Sequence, residues 1–285
     1  MQELNGFRCG SFAGLAGDDI GRTDERPPLV LLHGLTFDRS MWRPALTELE
    51  TIDPGRRAIS LDLPAHGDSP ESSSYSMEAL VERVHDAIGA ARLDHPVVVG
   101  HSLSAGVASV YAARYPTSGV VMVEGALQVG GFATMAQSLE PALRSPGFDE
   151  VWARITDNVF RLGEVAPDVR DEVLATAKPR QAIVLGYWRD LFERTPAELA
   201  AWAVQGSAAI RESGVPCVAV LGQDPSPQDM AWVRTNLPDA RVLVWPNSGH
   251  FPHLAHPRRF AELLAETGTW ARESGGRRGR LVTSI

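Results

Sequence analysis

Apolar residues recur along the chain in two rhythms. Short unbroken runs stand at Leu29-Val30-Leu31-Leu32, Ala58-Ile59-Ser60-Leu61, Val97-Val98-Val99, Val120-Val121-Met122-Val123, Val218-Ala219-Val220-Leu221 and Val242-Leu243-Val244-Trp245. Successive side chains of a strand point to opposite faces, so such runs predict strands covered on both sides, the habit of a parallel sheet. Between them the spacing lengthens to that of a helix. Over 76–91, Met77, Leu80, Val81, Val84 and Ile88 fall on one helical face, and Ser76 stands where an N-cap belongs. Further helices are predicted over 106–114 and 260–267. Strands alternating with helices predict an α/β fold: a mostly parallel central sheet flanked by helices.

The stretch from Gln128 to Ser207 departs from this alternation. Its helical patterning is interrupted by Pro141, Pro146, Pro167, Pro179 and Pro196, and it has almost no strand signal. It is rich in large side chains, among them Phe132, Phe148, Trp152, Phe160, Tyr187, Trp188, Phe192 and Trp202. The expected division is a core of residues 1–127 and 208–285 with a helical insertion, 128–207. Insertions at strand ends carry function in such folds, so this one is expected to cap a site. Its aromatics have two readings: they fill the cap's own core, or some of them face an apolar substrate.

Composition narrows the partners. Of 285 residues, 44% are hydrophobic and 22% charged, enough for a sizeable core. The formal net charge of −8 disfavours nucleic acid or an anionic membrane surface, since both need a clustered positive footprint. Cys9 and Cys217 are too few for a disulfide framework, and Cys217 in its apolar run reads as a buried thiol. No signal-peptide pattern and no run long enough to span a bilayer is visible, so the expected location is the cytoplasm. The Gly275–Ile285 segment reads as a loose basic tail.

Candidate chemistry lies at the ends of the strand runs. Val97-Val98-Val99-Gly100-His101-Ser102-Leu103-Ser104 reads as a buried strand entering a small-x-Ser-x-small turn and then a helix. Small residues on either side of the serine allow a sharp turn that lifts its hydroxyl clear of the sheet. Upstream, Leu29–Leu32 runs into His33-Gly34-Leu35. An oxyanion needs two backbone donors, and the N–H groups of Leu35 and Leu103 are the candidates. Downstream, Asn247-Ser248-Gly249-His250 follows the last strand, placing an imidazole late in the chain, where a base for Ser102 belongs. His250, His253 and His256 also form a His-x-x-His-x-x-His spacing, but Pro252 and Pro257 interrupt any helix that would align them, so no metal is expected. No nucleotide-binding glycine motif is present, and no cofactor is expected.

Together, Leu31-Leu32-His33-Gly34, Asp62-Leu63-Pro64-Ala65-His66-Gly67-Asp68-Ser69, Gly100-His101-Ser102-Leu103-Ser104 and Gly249-His250 resemble the α/β-hydrolase superfamily over about residues 28–266. Two departures stand out: Ala65 replaces a glycine of the Asp62 loop, and Ser104 replaces the second glycine of the serine turn. The resemblance implies the α/β-hydrolase fold with a helical cap and a Ser102–His250–acid triad. It places the acid at Asp224, after strand 218–221, with Glu124, at the end of strand 120–123, as the alternative. His33, Gly34, Trp188 and Phe251 are expected to line the substrate site. The expected function is hydrolysis of a carboxylic ester or lactone of a small, apolar or aromatic molecule through an acyl-enzyme. The alternatives are a carbon–carbon bond (diketone) hydrolase or a non-catalytic small-molecule receptor on the same scaffold.

Overall fold

The apolar runs become the central strands of one sheet. The computed structural model describes residues 2–4, 6–161 and 166–270. Among these, nine strands pair: β1 (Gln2–Leu4), β2 (Phe7–Phe12), β3 (Leu15–Ile20), β4 (Leu29–Leu32), β5 (Ala58–Leu61), β6 (Val97–His101), β7 (Gly119–Val123), β8 (Cys217–Leu221) and β9 (Arg241–Val244). Their order is β1-β2-β3-β5-β4-β6-β7-β8-β9. From β5 to β9 the pairings are parallel, while β1, β2 and β3 join antiparallel. Every residue of β4, β5, β6 and β8 is buried, as covering both faces requires. In β9, by contrast, Arg241 is exposed and the next three residues only half-buried, because it is the edge of the sheet.

The β1–β3 strands were not legible in the hydrophobic pattern. β2 and β3 carry Gly10, Gly17, Asp18 and Asp19 in place of an apolar run. They meet in a two-residue turn, Ala13-Gly14, with φ of 48° and 90°, the backbone that tight hairpins favour. Asp18 is wholly buried and accepts hydrogen bonds from Arg39 and Arg43.

Two groups of helices cover the sheet. α1 (Arg43–Ile52) packs on α12 (Pro257–Glu266), which follows the short α11 (Pro252–Ala255). α2 (Met77–Ala90), α3 (Leu103–Arg114), α9 (Pro196–Ser213) and α10 (Pro227–Asn236) form a second set, each touching the next. Ser76 caps α2, its side chain accepting from the Ala79 N–H at 3.3 Å. Helix α3 starts at Leu103, three residues before the apolar pattern predicts, because the serine turn feeds straight into it.

Between β7 and β8 run α4 (Val129–Leu143), α5 (Phe148–Asn158), α6 (Pro167–Thr176), α7 (Gln181–Tyr187), α8 (Arg189–Glu193) and α9. The prolines organise these helices more than they interrupt them. Pro167 and Pro196 open α6 and α9, where a missing N–H costs nothing, and Pro141 sits inside the end of α4. The boundary expected after Ser207 falls inside α9, which is unbroken. Its start meets α4, where Gly130 lies against Pro196 and Ala200. Its end is tied to the core, Arg211 donating to the Asn236 carbonyl at 3.0 Å. No described helix is long and apolar enough to cross a membrane. The basic tail of Gly275–Ile285 lies outside the described residues.

Candidate active site

Ser102 occupies the turn between β6 and α3 with φ 55° and ψ −120°. A non-glycine residue in that region costs on the order of 1–3 kcal/mol and persists only where its surroundings enforce it. Here the Ser102 N–H donates to the Val123 carbonyl at 2.8 Å, and the Ser102 carbonyl accepts from Ala105 at 3.0 Å. Gly100 must be glycine: a Cβ there would fall 2.0 Å from the Ser104 carbonyl oxygen. Ser104 tolerates its own side chain because its buried hydroxyl donates to the carbonyl of His33. That bond ties the first turn of α3 to the end of β4.

β4 lies beside β6, and Gly34 lets its continuation close on the serine turn. A Cβ on Gly34 would stand 2.5 Å from Nδ1 of His101 and 3.5 Å from Cβ of Ser102. Leu35 follows. Among the described residues, the N–H groups of Leu35 and Leu103 are bonded to no acceptor. Leu103 is the first residue of α3, whose N-terminal N–H groups and dipole favour negative charge.

His33 serves the loops. It is fully buried, its Nδ1 hydrogen-bonds the Gly34 carbonyl at 2.8 Å, and its Nε2 accepts from Leu63 at 2.9 Å. Burial lowers its pKa to about 4, so it is neutral. A ring held at both nitrogens offers substrate nothing, which corrects its expected role. His66, given no role by the sequence, pins the same region, its Nε2 accepting from the Thr36 N–H at 3.1 Å.

His250 is placed from three sides. Its N–H donates to the Phe160 carbonyl at 3.0 Å, its carbonyl lies 2.7 Å from Nε2 of His101, and its Nδ1 lies 2.9 Å from Oε2 of Glu124. Nε2 of His250 is buried and has no hydrogen-bond partner among the described residues, Ser102 included. Catalytic hydrogen bonds are often loose in an unliganded site and tighten around substrate.

The carboxylate at the imidazole is therefore Glu124, the alternative, and not Asp224. Glu124 follows β7, the neighbour of β6, at φ 52° with its N–H on the Val220 carbonyl at 2.9 Å. Asp224 leaves β8, one strand further from the serine, and its side chain is exposed. The turn after β8 contributes a backbone donor, the Gly222 N–H, to Glu124 Oε1. Burial works to raise the Glu124 pKa, but the His250 and Gly222 hydrogen bonds and the Arg161 charge outweigh it, leaving it below the usual value. An ionised Glu124 can only accept, so Nδ1 of His250 carries a proton, and in the neutral imidazole Nε2 is then the acceptor.

The other expected lining residues are packed away. Trp188 is 3% exposed, within an aromatic cluster of Phe132, Trp152 and Phe192 at centroid distances of 5.5, 5.8 and 6.3 Å. Phe251 is wholly buried among Phe37, His101 and Phe160. Beside Leu35 a cavity of about 380 Å³ opens, lined by Thr36, Phe37, Asp38, His66, Lys178 and Arg180 among others. Its walls mix polar and apolar surface in nearly equal parts. His253 lies tilted against Trp42 and His256 edge-on to Trp245, and among the described residues no group of three His, Cys, Asp or Glu side chains could hold a metal.

The sequence as a whole matches known proteins. A profile described as the alpha/beta hydrolase family covers residues 29–263. Bovine monoacylglycerol lipase ABHD6 is 22% identical over 271 residues, spanning 86% of this chain and 76% of that one. The putative carbamate hydrolase RutD of Escherichia coli is 25% identical over 254 residues, spanning 84% and 90%. A thermophilic esterase from Thermogutta terrifontis superposes with a TM-score of 0.69 at 18% identity, over 92% of this chain and all of its own. The profile runs from the first strand of the parallel sheet into its last helix, and the chain belongs to the alpha/beta hydrolase family.

Proposed function

We propose that this chain is a serine hydrolase cleaving a carboxylic ester or lactone of a small molecule. The observation that carries the reading is the hydrogen bond between Nδ1 of His250 and Glu124, which leaves Nε2 as an unused acceptor in a chain whose Ser102 is strained and partly exposed. As Ser102 Oγ attacks the ester carbonyl, its proton passes to Nε2. The carbonyl oxygen takes the negative charge and receives the N–H groups of Leu35 and Leu103. Collapse expels the alcohol, which recovers the proton from His250 and leaves an acyl-Ser102 ester. Water then attacks that ester, giving up its proton to Nε2, and the acid departs as Ser102 is restored. Glu124 stays ionised throughout and stabilises the imidazolium formed in each half.

The names of the relatives span lipase and carbamate hydrolase, so the bond type rests on the site itself. The cap reading of the insertion is supported by Phe160, which reaches the His250 loop. Aromatic richness lends little to an apolar substrate, because Trp188, Trp152 and Phe148 pack on their neighbours. The test is labelling with a fluorophosphonate probe and mapping of the adduct by mass spectrometry. Stoichiometric modification of Ser102, abolished in Ser102→Ala, is expected. A folded native chain that takes no label would sink the hydrolase reading and bring the receptor reading forward.

A further inference from the structure

Arg161 belongs to none of the motifs legible in the sequence. It stands beyond α5 at φ 52°, and its side chain is 12% exposed. Its Nη2 donates to Glu124 Oε2 at 3.3 Å and to the Gly249 carbonyl at 2.9 Å. One residue earlier, the Phe160 carbonyl takes the His250 N–H at 3.0 Å. The Phe160 ring lies 4.8 Å from the imidazole and 8° from parallel with it. Two consecutive residues of the insertion therefore grip both the loop that carries His250 and the carboxylate bonded to it.

We propose, building on the serine-hydrolase reading, that Arg161 is a positioning residue. Its guanidinium fixes the Glu124 carboxylate and the Gly249 carbonyl so that His250 keeps Nδ1–H on Glu124 and Nε2 toward Ser102. A carboxylate turns freely about its last bond unless both oxygens are engaged, and here each is. Oε1 takes the Gly222 N–H, while Oε2 takes the imidazole and the guanidinium. The guanidinium holds the Gly249 carbonyl at the same time, so the acid and the backbone before His250 cannot shift independently. Its charge also favours the ionised carboxylate, the form that fixes the tautomer. Among the described residues, the other titratable groups against His250 are His101 from β6 and His253 from α11. Both rings are held neutral by burial, His253 near 3. Arg161 thus makes the orientation of the base depend on the insertion lying against the core.

The test uses the full chain and two readouts. Proton NMR follows the downfield Nδ1–H resonance of His250, assigned by its loss in His250→Gln. In Arg161→Gln this resonance is expected to weaken or move upfield, and in Arg161→Lys to return toward native. Fluorophosphonate labelling of Ser102 should slow roughly tenfold to a hundredfold in Arg161→Gln and recover in part in the lysine variant. Arg161→Met, which keeps the apolar stem, replaces the glutamine variant if that one fails to fold. A native resonance in a folded Arg161→Gln or Arg161→Met overturns the proposal, whatever the labelling rate. Absence of labelling in the native chain rejects the hydrolase reading instead, and the NMR comparison still decides the positioning role.

Discussion

Glu124 leaves β7 with φ at 52°, and that backbone setting turns its carboxylate toward His250. The cost of a left-handed glutamate is offset by its N–H on Val220 and by the donors on its two oxygens. Glu124→Gln keeps the shape but lets the amide present either an acceptor or a donor to Nδ1, which unsettles the tautomer. We expect kcat/KM on a responsive ester to fall about a thousandfold or more in Glu124→Gln, with the melting temperature little changed. Asp224→Asn, on an exposed side chain without a bond to the imidazole, should leave it within about twofold. Equal losses in the two would disprove the assignment. The sequence displayed both acids at strand ends. Deciding between them needed the strand order, because β7 rather than β8 adjoins the serine strand, and strand order is a property of long-range pairing. Arg161 was illegible for the same reason: its partners lie 37 and 88 positions away.

The elements that were easiest to read are those whose surroundings are uniform. β4, β5, β6 and β8 are covered on both faces, so their sequences are mostly apolar and their limits fall within two residues of the apolar runs. β2 and β3 lie toward the edge, are braced by ion pairs, and carry no such signature. In the insertion, aromatic content was legible but its direction was not. Trp188 fills the space between Phe132, Trp152 and Phe192 and is a core residue of the helices around it. Trp188→Ala should therefore lower stability by about 3–5 kcal/mol, as truncation of a large buried side chain does. The experiment is a urea melt coupled to limited proteolysis of the insertion. A native midpoint with an altered substrate profile would instead mean that Trp188 faces a ligand. The serine turn offers a sharper case. Gly100→Ala sets a methyl against backbone that cannot yield, so misplacement of Ser102 should accompany loss of stability. Labelling at Ser102 should then fall even in the folded fraction.

Besides His250 itself, four of the eight histidines are buried around the site. His33, His66, His101 and His253 are all at most 7% exposed, and burial depresses each: His33 to about 4, His66 and His253 to about 3, His101 well below its ordinary value. Two of them accept backbone N–H groups at Nε2, a bond that the protonated ring could not make. In the unfolded chain the same side chains take up protons near pH 6.5. Below that pH the unfolded state binds more protons than the folded one, so stability must fall as pH drops. Above it the contribution is complete. Each histidine removes about 1.4 kcal/mol per pH unit until its folded pKa is reached, so His33, His66 and His253 together remove about 4 kcal/mol per pH unit. Against a typical total of about 5–15 kcal/mol, a loss at that rate removes a large share of the stability between pH 6 and about 4. Asp18, held low by Arg39 and Arg43 despite its burial, adds its own loss only at lower pH. Urea midpoints should accordingly be steady from about pH 8 to 7 and then descend steeply toward pH 5. A midpoint unchanged at pH 5 would show that these rings accept protons in the folded state. The loop fastenings on either side of Leu35 would then have to rest on something other than neutral imidazoles.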